Sequence, residues 1–280
     1  MFTERLAASS VTFRDVPLEG ALHHLRAIGF TRLDLTAIRH YCDHFDPLLV
    51  DVGEAECLRV RDTVARFGME TVSITSYPAN PLAKDLNGDD WASGIDAYIR
   101  LGLHLQARAL ILPPGSPAPP ADRWRGTAEH AKPWLRDAAR RAVTAQMTPS
   151  IALQSHSLLR TPQQGLDFLG LLGAKEAGLA IDPAHLAAIG EDPAAAIRQL
   201  GAAITFVVLR DTDGKDFNLP PGMGLLDYPS ILASLAEIGY HGPLVLAIDD
   251  PGISPEERIG RLQRGWEYLD TLDTGWQQAA

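Results

Sequence analysis

The chain has 280 residues, 46% of them hydrophobic and 21% charged, a composition typical of one globular domain with a sizeable core. The formal net charge of −10 argues against a nucleic-acid partner, because phosphate binding needs clustered Lys and Arg. No apolar run is long enough to predict a membrane span, and the first residues show no signal-peptide pattern. Cys42 and Cys57 match no metal or redox spacing, so we expect reduced thiols in a cytoplasmic protein.

Short apolar runs alternate with longer helical stretches along the whole chain. These runs are rich in Leu or in β-branched residues and are mostly apolar on both faces, as in a parallel sheet that is buried on both sides. They predict strands at residues 6–10, 32–35, 70–74, 109–112, 150–153, 179–181, 205–208 and 244–247.

The stretches between these strands carry helix start and stop signals, with Pro in the first turn and Gly after the last. Pro17 opens the first helix and Gly29 ends it, and Gly102 is expected to end a helix over residues 91–101. The other predicted helices span residues 54–67, 163–172, 194–200, 228–238 and 255–272. The Pro-rich run at 113–120 predicts an extended loop after the fourth strand.

About eight strand–helix units without a break in composition predict a single-domain (β/α)8 TIM barrel over residues 1–280. A doubly wound open sheet is the alternative. It is disfavoured because no G-x-G-x-x-G motif follows the first strand. In a barrel of this kind the C-terminal ends of the strands form the functional face, so polar residues there are candidate site residues.

Four stretches near predicted strand ends resemble a known family. They read Ile-Ala-Leu-Gln-Ser-His at 151–156, Leu-Ala-Ile-Asp-Pro-Ala-His at 179–185, Phe-Val-Val-Leu-Arg-Asp at 206–211 and Gly-Pro-Leu-Val-Leu-Ala-Ile-Asp-Asp at 242–250. Together with the loop at 219–228, they resemble the sugar phosphate isomerase/epimerase family of xylose isomerase-like or AP endonuclease 2-like barrels. In that family the corresponding positions usually carry Glu, Asp, His and Glu around a divalent cation. Here they are Gln154, Asp182, Val208 and Ala247.

These replacements bear on metal binding. A hard divalent cation takes about six oxygen or nitrogen ligands, usually with two or more carboxylates. Gln154 keeps only a carbonyl oxygen, Val208 and Ala247 keep no donor, and Asp182 alone is unchanged. We therefore expect no metal cofactor. The alternative is Mn, Mg, Co or Zn in a shifted site that His156 or Asp249 completes.

The polar residues that remain could carry acid–base chemistry. The resemblance places His185 at a position that contacts substrate in ketose epimerases of the family, and His156 lies two residues after the first ligand position. Histidines titrate near neutral pH, and a guanidinium can stabilise an enolate oxygen. The predicted catalytic residues are His156, His185, Asp182 and Arg210, and the predicted substrate-binding residues are Gln154, Asp34, His40, Tyr77 and Asp249.

Some of these residues also have an ordinary structural interpretation. Arg210 could form a surface ion pair with Asp211 or Asp213. Ser155 is discounted as a nucleophile, because adjacent residues of a strand point to opposite faces.

The leading functional hypothesis is a metal-independent isomerase, epimerase or lyase that moves a proton next to the carbonyl of a small hydroxylated molecule. Val208 and Ala247 make the mouth less polar, which favours a substrate more apolar than a sugar. One alternative is a metal-dependent sugar or keto-acid isomerase with an unusual ligand set. Another is a non-catalytic binding protein. Family members are often dimers or tetramers, so the resemblance also allows a homo-oligomer.

Overall fold

The computed structural model of the protein describes residues 3–46, 53–175 and 177–279. Its eight strands are parallel and close into a barrel in chain order, β1 to β8, with β8 pairing back to β1. They are β1 Leu6–Ser9, β2 Arg32–Ala37, β3 Glu70–Ser76, β4 Ala109–Leu112, β5 Thr148–Ala152, β6 Gly178–Ile181, β7 Ile204–Leu209 and β8 Leu244–Leu246. The predicted (β/α)8 barrel is confirmed, and the closed ring excludes the open-sheet alternative.

Helices surround this barrel. They are α1 Leu18–Ile28, α2 Gly53–Arg66, α3 Gly88–Leu105, α4 Trp124–Thr144, α5 Pro162–Leu172, α6 Pro183–Ala188, α7 Pro193–Leu200, α8 Tyr228–Glu237 and α9 Pro255–Ala279. Short polar residues begin several of them, as expected for N-caps. The Asp182 side chain accepts a hydrogen bond from the first turn of α6, and Asp192 does the same for α7. Gly29 ends α1 in the left-handed conformation, with φ of 115°.

Two helix predictions differ from the structure. Gly102 lies inside α3, which continues to Leu105 and ends at Gln106 in the left-handed region. A Cβ at Gly102 would meet the Met147 side chain at 2.6 Å, so this glycine serves close packing and not helix termination. The long helix α4 was not assigned from the sequence, and Pro133 lies within it.

Successive strand residues belong to two different buried clusters. Leu110 and Leu112 of β4 pack in the larger cluster, which includes most of the helix side chains, whereas Ala109 and Ile111 pack in a smaller cluster inside the ring. The smaller cluster also includes Phe206. The barrel interior is therefore a packed core, and the candidate site lies at the C-terminal ends of the strands.

None of the helices in the described part of the chain is both long and apolar enough to cross a membrane.

Candidate active site at the mouth of the barrel

A cavity of about 510 Å³ lies at the C-terminal ends of the strands. It brings together most of the predicted site residues, although they come from β2, β3 and the loops after β5 to β8. Those that line it are Asp34, Tyr77, Gln154, His156, His185, Arg210 and Asp249, together with Val208 and Ala247. A wider groove of about 810 Å³ runs along the outside of α4, but all of its lining residues except Ala174 belong to that one helix. The cavity at the strand ends is therefore the candidate site.

Arg210 and Asp182 form a buried ion pair beside the cavity. Each follows directly on its strand, β7 and β6 respectively, and Arg210 Nε donates to Asp182 Oδ2 over 2.7 Å. Their side chains are only 15% and 5% exposed, so the surface pairing of Arg210 with Asp211 or Asp213 is wrong. Burial lowers the pKa of Arg210, but Asp182, Asp249 and Tyr41 together raise it above its ordinary value, and the guanidinium stays charged.

His185 is held between Arg210 and Ser155. Arg210 Nη2 lies 3.1 Å from His185 Nε2, and Ser155 Oγ lies 3.0 Å from Nδ1. A guanidinium can only donate, so Nε2 accepts and the ring proton is on Nδ1, which donates to Ser155. Burial lowers the pKa of His185 to about 4, so the ring is neutral at physiological pH. Its lone pair is occupied, which makes it a group that positions Arg210 rather than a free base.

His156 differs from His185 in having an uncommitted ring. The two ring centroids are 5.5 Å apart, yet no hydrogen bond reaches the His156 ring from any residue that the structure describes. Burial and the nearby charge of Arg210 lower its pKa, so His156 is also neutral at physiological pH. The residue is partly exposed and lines the cavity. His156 is therefore the histidine with a nitrogen available to accept a proton.

Asp249 anchors a second polar group that the sequence did not reveal. Arg14 Nε donates to Asp249 Oδ1 over 2.9 Å, and the Tyr41 hydroxyl donates to Oδ2. The Arg14 guanidinium also stacks on the Tyr41 ring, 4.1 Å from its centroid. Asn218 joins this group to the first, because its Oδ1 accepts from Arg210 Nη1 and from the Asp249 backbone N–H, each over 3.1 Å.

Asp34 lies on the opposite wall of the cavity, formed by β1, β2 and β3. It is 2% exposed, and its carboxylate accepts hydrogen bonds from hydroxyls on all three strands. Ser9 and Ser73 donate over 2.7 Å, Thr75 over 2.9 Å and Thr36 over 3.3 Å. Burial raises the pKa of Asp34 above its ordinary value, although the hydroxyls oppose that shift.

The residues at the family's ligand positions do not fit a divalent cation. Val208 and Ala247 offer hydrocarbon, and Gln154 offers one amide oxygen. The Asp182 carboxylate already accepts hydrogen bonds from Arg210 and from the Ala184 backbone N–H, at 2.9 Å for the latter. Arg210 also places a positive charge at this point, which would repel a metal ion. Within the described ranges, no group of three or more His, Cys, Asp or Glu could hold a metal.

One predicted residue lies elsewhere, as does a second histidine of the same loop. His40 is exposed in the loop after β2, with φ of 63°, and does not line the cavity. His44 is buried and bonds to Ser10 Oγ and to the Val16 carbonyl, which is a structural role.

Several residues that the structure places in or against the site were not predicted from the sequence as site residues. They are Arg14, Tyr41, Thr75, Ser155 and Asn218. Arg14 and Tyr41 follow β1 and β2, and their position after strand ends was an available signal.

Comparison with known proteins identifies the family. The structure is similar to that of L-ribulose 3-epimerase, with 20% sequence identity, a TM-score of 0.77, and coverage of 98% of this chain and 96% of that chain. It is also similar to the IolI protein with a bound zinc atom, at 14% identity and a TM-score of 0.77, covering 96% and 98%. D-allulose 3-epimerase from Methylomonas sp. in complex with D-allulose gives 14% identity, a TM-score of 0.76, and coverage of 95% and 96%.

At these identities the similarity concerns the fold. No curated protein matches the chain by sequence. The family model described as the xylose isomerase-like TIM barrel matches residues 22–271. The chain therefore belongs to the xylose isomerase-like TIM barrel family.

Proposed function

We propose that the protein is an isomerase or epimerase that moves a proton next to a carbonyl without a divalent cation. The observation that carries the proposal is the Arg210–Asp182 ion pair, which occupies the wall where the family's ligands would converge. A guanidinium there can stabilise a developing oxyanion, which is the electrostatic task a cation would otherwise perform. A lyase that eliminates water from the same enolate is the closest variant of this chemistry.

The hydrogen bonds of Arg210 leave it one donor for a substrate. A guanidinium has five N–H groups. Nε and one hydrogen of Nη2 face Asp182, the other Nη2 hydrogen faces His185, and one Nη1 hydrogen faces Asn218. The second Nη1 hydrogen has no partner among the residues described. We assign it to the substrate carbonyl oxygen, with Asp182 and His185 fixing the orientation of the guanidinium.

His156 supplies the base in this proposal. Its neutral ring removes a proton from the carbon next to the carbonyl, the C–H electron pair forms the enolate double bond, and the oxygen takes the negative charge beside Arg210. Isomerisation follows when the proton of the adjacent hydroxyl moves to the enolate oxygen and His156 returns its proton to the former carbonyl carbon. Epimerisation follows when solvent water protonates the first carbon from the opposite face and His156 releases its proton to solvent. The reaction is redox-neutral, so it requires no oxidant or reductant. Gln154 can donate to a neighbouring hydroxyl of the substrate.

The proposal is tested by proton exchange. The protein is treated with EDTA, its metal content is measured, and it is incubated with D-fructose, L-ribulose and more apolar hydroxyketones in D2O. We expect deuterium at the carbon next to the carbonyl, detected by NMR, and its loss in Arg210→Met and His156→Gln. His130→Gln is the matched control, because His130 is exposed on α4.

Two results would contradict the proposal. Exchange that requires added Mn, Mg, Co or Zn indicates a metal-dependent isomerase with an unusual ligand set. Absence of exchange with every carbonyl compound, with or without metal, favours a non-catalytic binding protein.

A further inference from the structure

The charges around the cavity do not balance. Asp182 pairs with Arg210, and Asp249 pairs with Arg14, so each of these carboxylates has its own counter-charge. Asp34 has none, because no Lys or Arg of the described chain forms an ion pair with it. Since His156 and His185 are neutral at physiological pH, an ionised Asp34 leaves one negative charge in excess at this wall.

Three of the hydroxyl groups that bond to Asp34 also line the cavity. Ser9, Thr36, Thr75 and Asp34 itself line the cavity, and because Ser9, Thr36 and Asp34 are each only 2% exposed, Thr75 is the hydroxyl most open to the cavity. Each hydroxyl has a single proton, and these protons are directed to Asp34 or, between Ser9 and Thr36, to one another over 2.9 Å. Ser9 Oγ already accepts from the Val11 backbone N–H over 3.3 Å, so the hydroxyl lone pairs left for a ligand are those of Thr36 and Thr75. The wall accepts hydrogen bonds and donates none.

We propose that this wall, named here the acceptor wall and formed by Asp34, Ser9, Thr36 and Thr75, binds a primary ammonium group. The substrate is accordingly a small hydroxylated amine whose ammonium lies at the acceptor wall. An ammonium has three donors and one positive charge, so it fits both the lone pairs and the uncompensated carboxylate. A neutral hydroxyl would satisfy the lone pairs alone.

The raised pKa of Asp34 is consistent with this assignment. Burial makes the charged carboxylate unfavourable in the empty cavity, and the surrounding hydroxyls do not fully offset that effect. A bound cation would remove the penalty. Binding and deprotonation of Asp34 would then favour each other.

The test is a comparison of two probes that differ by one group, 1-amino-1-deoxy-D-fructose and D-fructose. Their affinities for the full chain are measured by isothermal titration calorimetry. We expect the aminated probe to bind about tenfold more tightly, and Asp34→Asn to abolish the difference. Asp122→Asn, at an exposed position before α4, should keep it. Thr75→Val, which removes one lone-pair oxygen and keeps the shape, should weaken the aminated probe alone.

Equal affinity for the two probes, binding of neither, or a preference that survives in Asp34→Asn overturns the inference. It rests on the proposed function only in taking this cavity as the substrate site. Because binding is measured without turnover, the two can fail separately. A protein that prefers the amine but exchanges no protons contradicts the proposed function alone.

Discussion

The two walls of the cavity each contain a buried aspartate, but they differ in what balances its charge. Asp182, at the end of β6, lies against the Arg210 guanidinium. Asp34, on β2, is surrounded by hydroxyls and by no cation of the described chain. On the wall that contains Arg210, the charge of Asp182 is therefore balanced before any ligand binds. At the acceptor wall the charge is not balanced. The raised pKa of Asp34 reflects the free-energy cost of burying its carboxylate without a counter-charge.

This difference suggests a division of labour. A complete ion pair holds a catalytic group in one orientation, because both partners are fixed by several hydrogen bonds. An uncompensated carboxylate is instead stabilised when a cation binds next to it, which favours ligand binding. In the proposed function, the rigid wall carries the chemistry and the polarised wall carries substrate recognition. The following predictions are ordered by the size of the effect that we expect.

Removal of Arg210 should have the largest effect on stability. In Arg210→Met the Asp182 carboxylate stays buried without its counter-charge, and we expect the free energy of unfolding to fall by about 3–5 kcal/mol. Urea denaturation at neutral pH measures it. The matched control is the double variant Arg210→Met/Asp182→Asn, which should recover most of the loss. A loss below about 1 kcal/mol in the single variant would contradict the picture of a complete, desolvated pair.

His185 should make the protein sensitive to acid. Its pKa is about 4 in the folded state against an ordinary value of 6.5, so the unfolded chain takes up the proton first as the pH falls. Stability should therefore be lost from about pH 6.5 down to about pH 4, by up to about 3 kcal/mol in total. The difference in unfolding free energy between the wild type and His185→Gln across this pH range measures the effect. If the unfolding free energies of the two proteins changed with pH in parallel, the fold would not be holding the His185 ring neutral.

Most of the fold could be predicted from the sequence, because buried parallel strands and capped helices leave local signals. All eight strands were located to within two residues at each end. The exceptions have physical reasons. Pro133 normally breaks helices, yet α4 continues through it, and Gly102 was taken as a stop although it is required for contact with Met147. The contact of Gly102 with Met147 is tertiary, and a single segment of sequence does not contain it.

The candidate site was predictable only in part. Arg210 and Asp182 lie directly after strand ends, and His185 lies in α6, which follows β6, where the barrel brings side chains together. The partnership of Arg14 with Asp249 joins residues 235 positions apart, which no local pattern indicates.

Ser155 was discounted by strand alternation. The strand β5 ends at Ala152, however, and the turn that follows points Ser155 towards His185. Alternation is valid within a strand and fails one turn beyond it.

Substitution of Asp34 should change the dependence of stability on pH in the direction opposite to His185. Because burial raises the pKa of Asp34 above 3.8, the folded state holds its proton more tightly than the unfolded chain does. The wild type should therefore lose stability relative to Asp34→Asn as the pH rises above about 4. Urea denaturation of both proteins from acid to neutral pH measures this difference. A wild type that gains stability relative to the variant over that range would mean that the hydroxyls fully compensate the charge.

Tyr41 should give the smallest effect, because Asp249 keeps Arg14 when the tyrosine hydroxyl is removed. The Tyr41 side chain is 40% exposed, so solvent replaces much of the lost hydrogen bond in Tyr41→Phe. We expect the free energy of unfolding to fall by about 1 kcal/mol. Tyr77→Phe is the matched control in the same cavity, since no described residue bonds to the Tyr77 hydroxyl, and it should stay within about 0.5 kcal/mol of the wild type. A loss in Tyr41→Phe as large as that in Arg210→Met would show instead that Asp249 depends on the tyrosine, and that the charge pairing with Arg14 is not what stabilises this part of the wall.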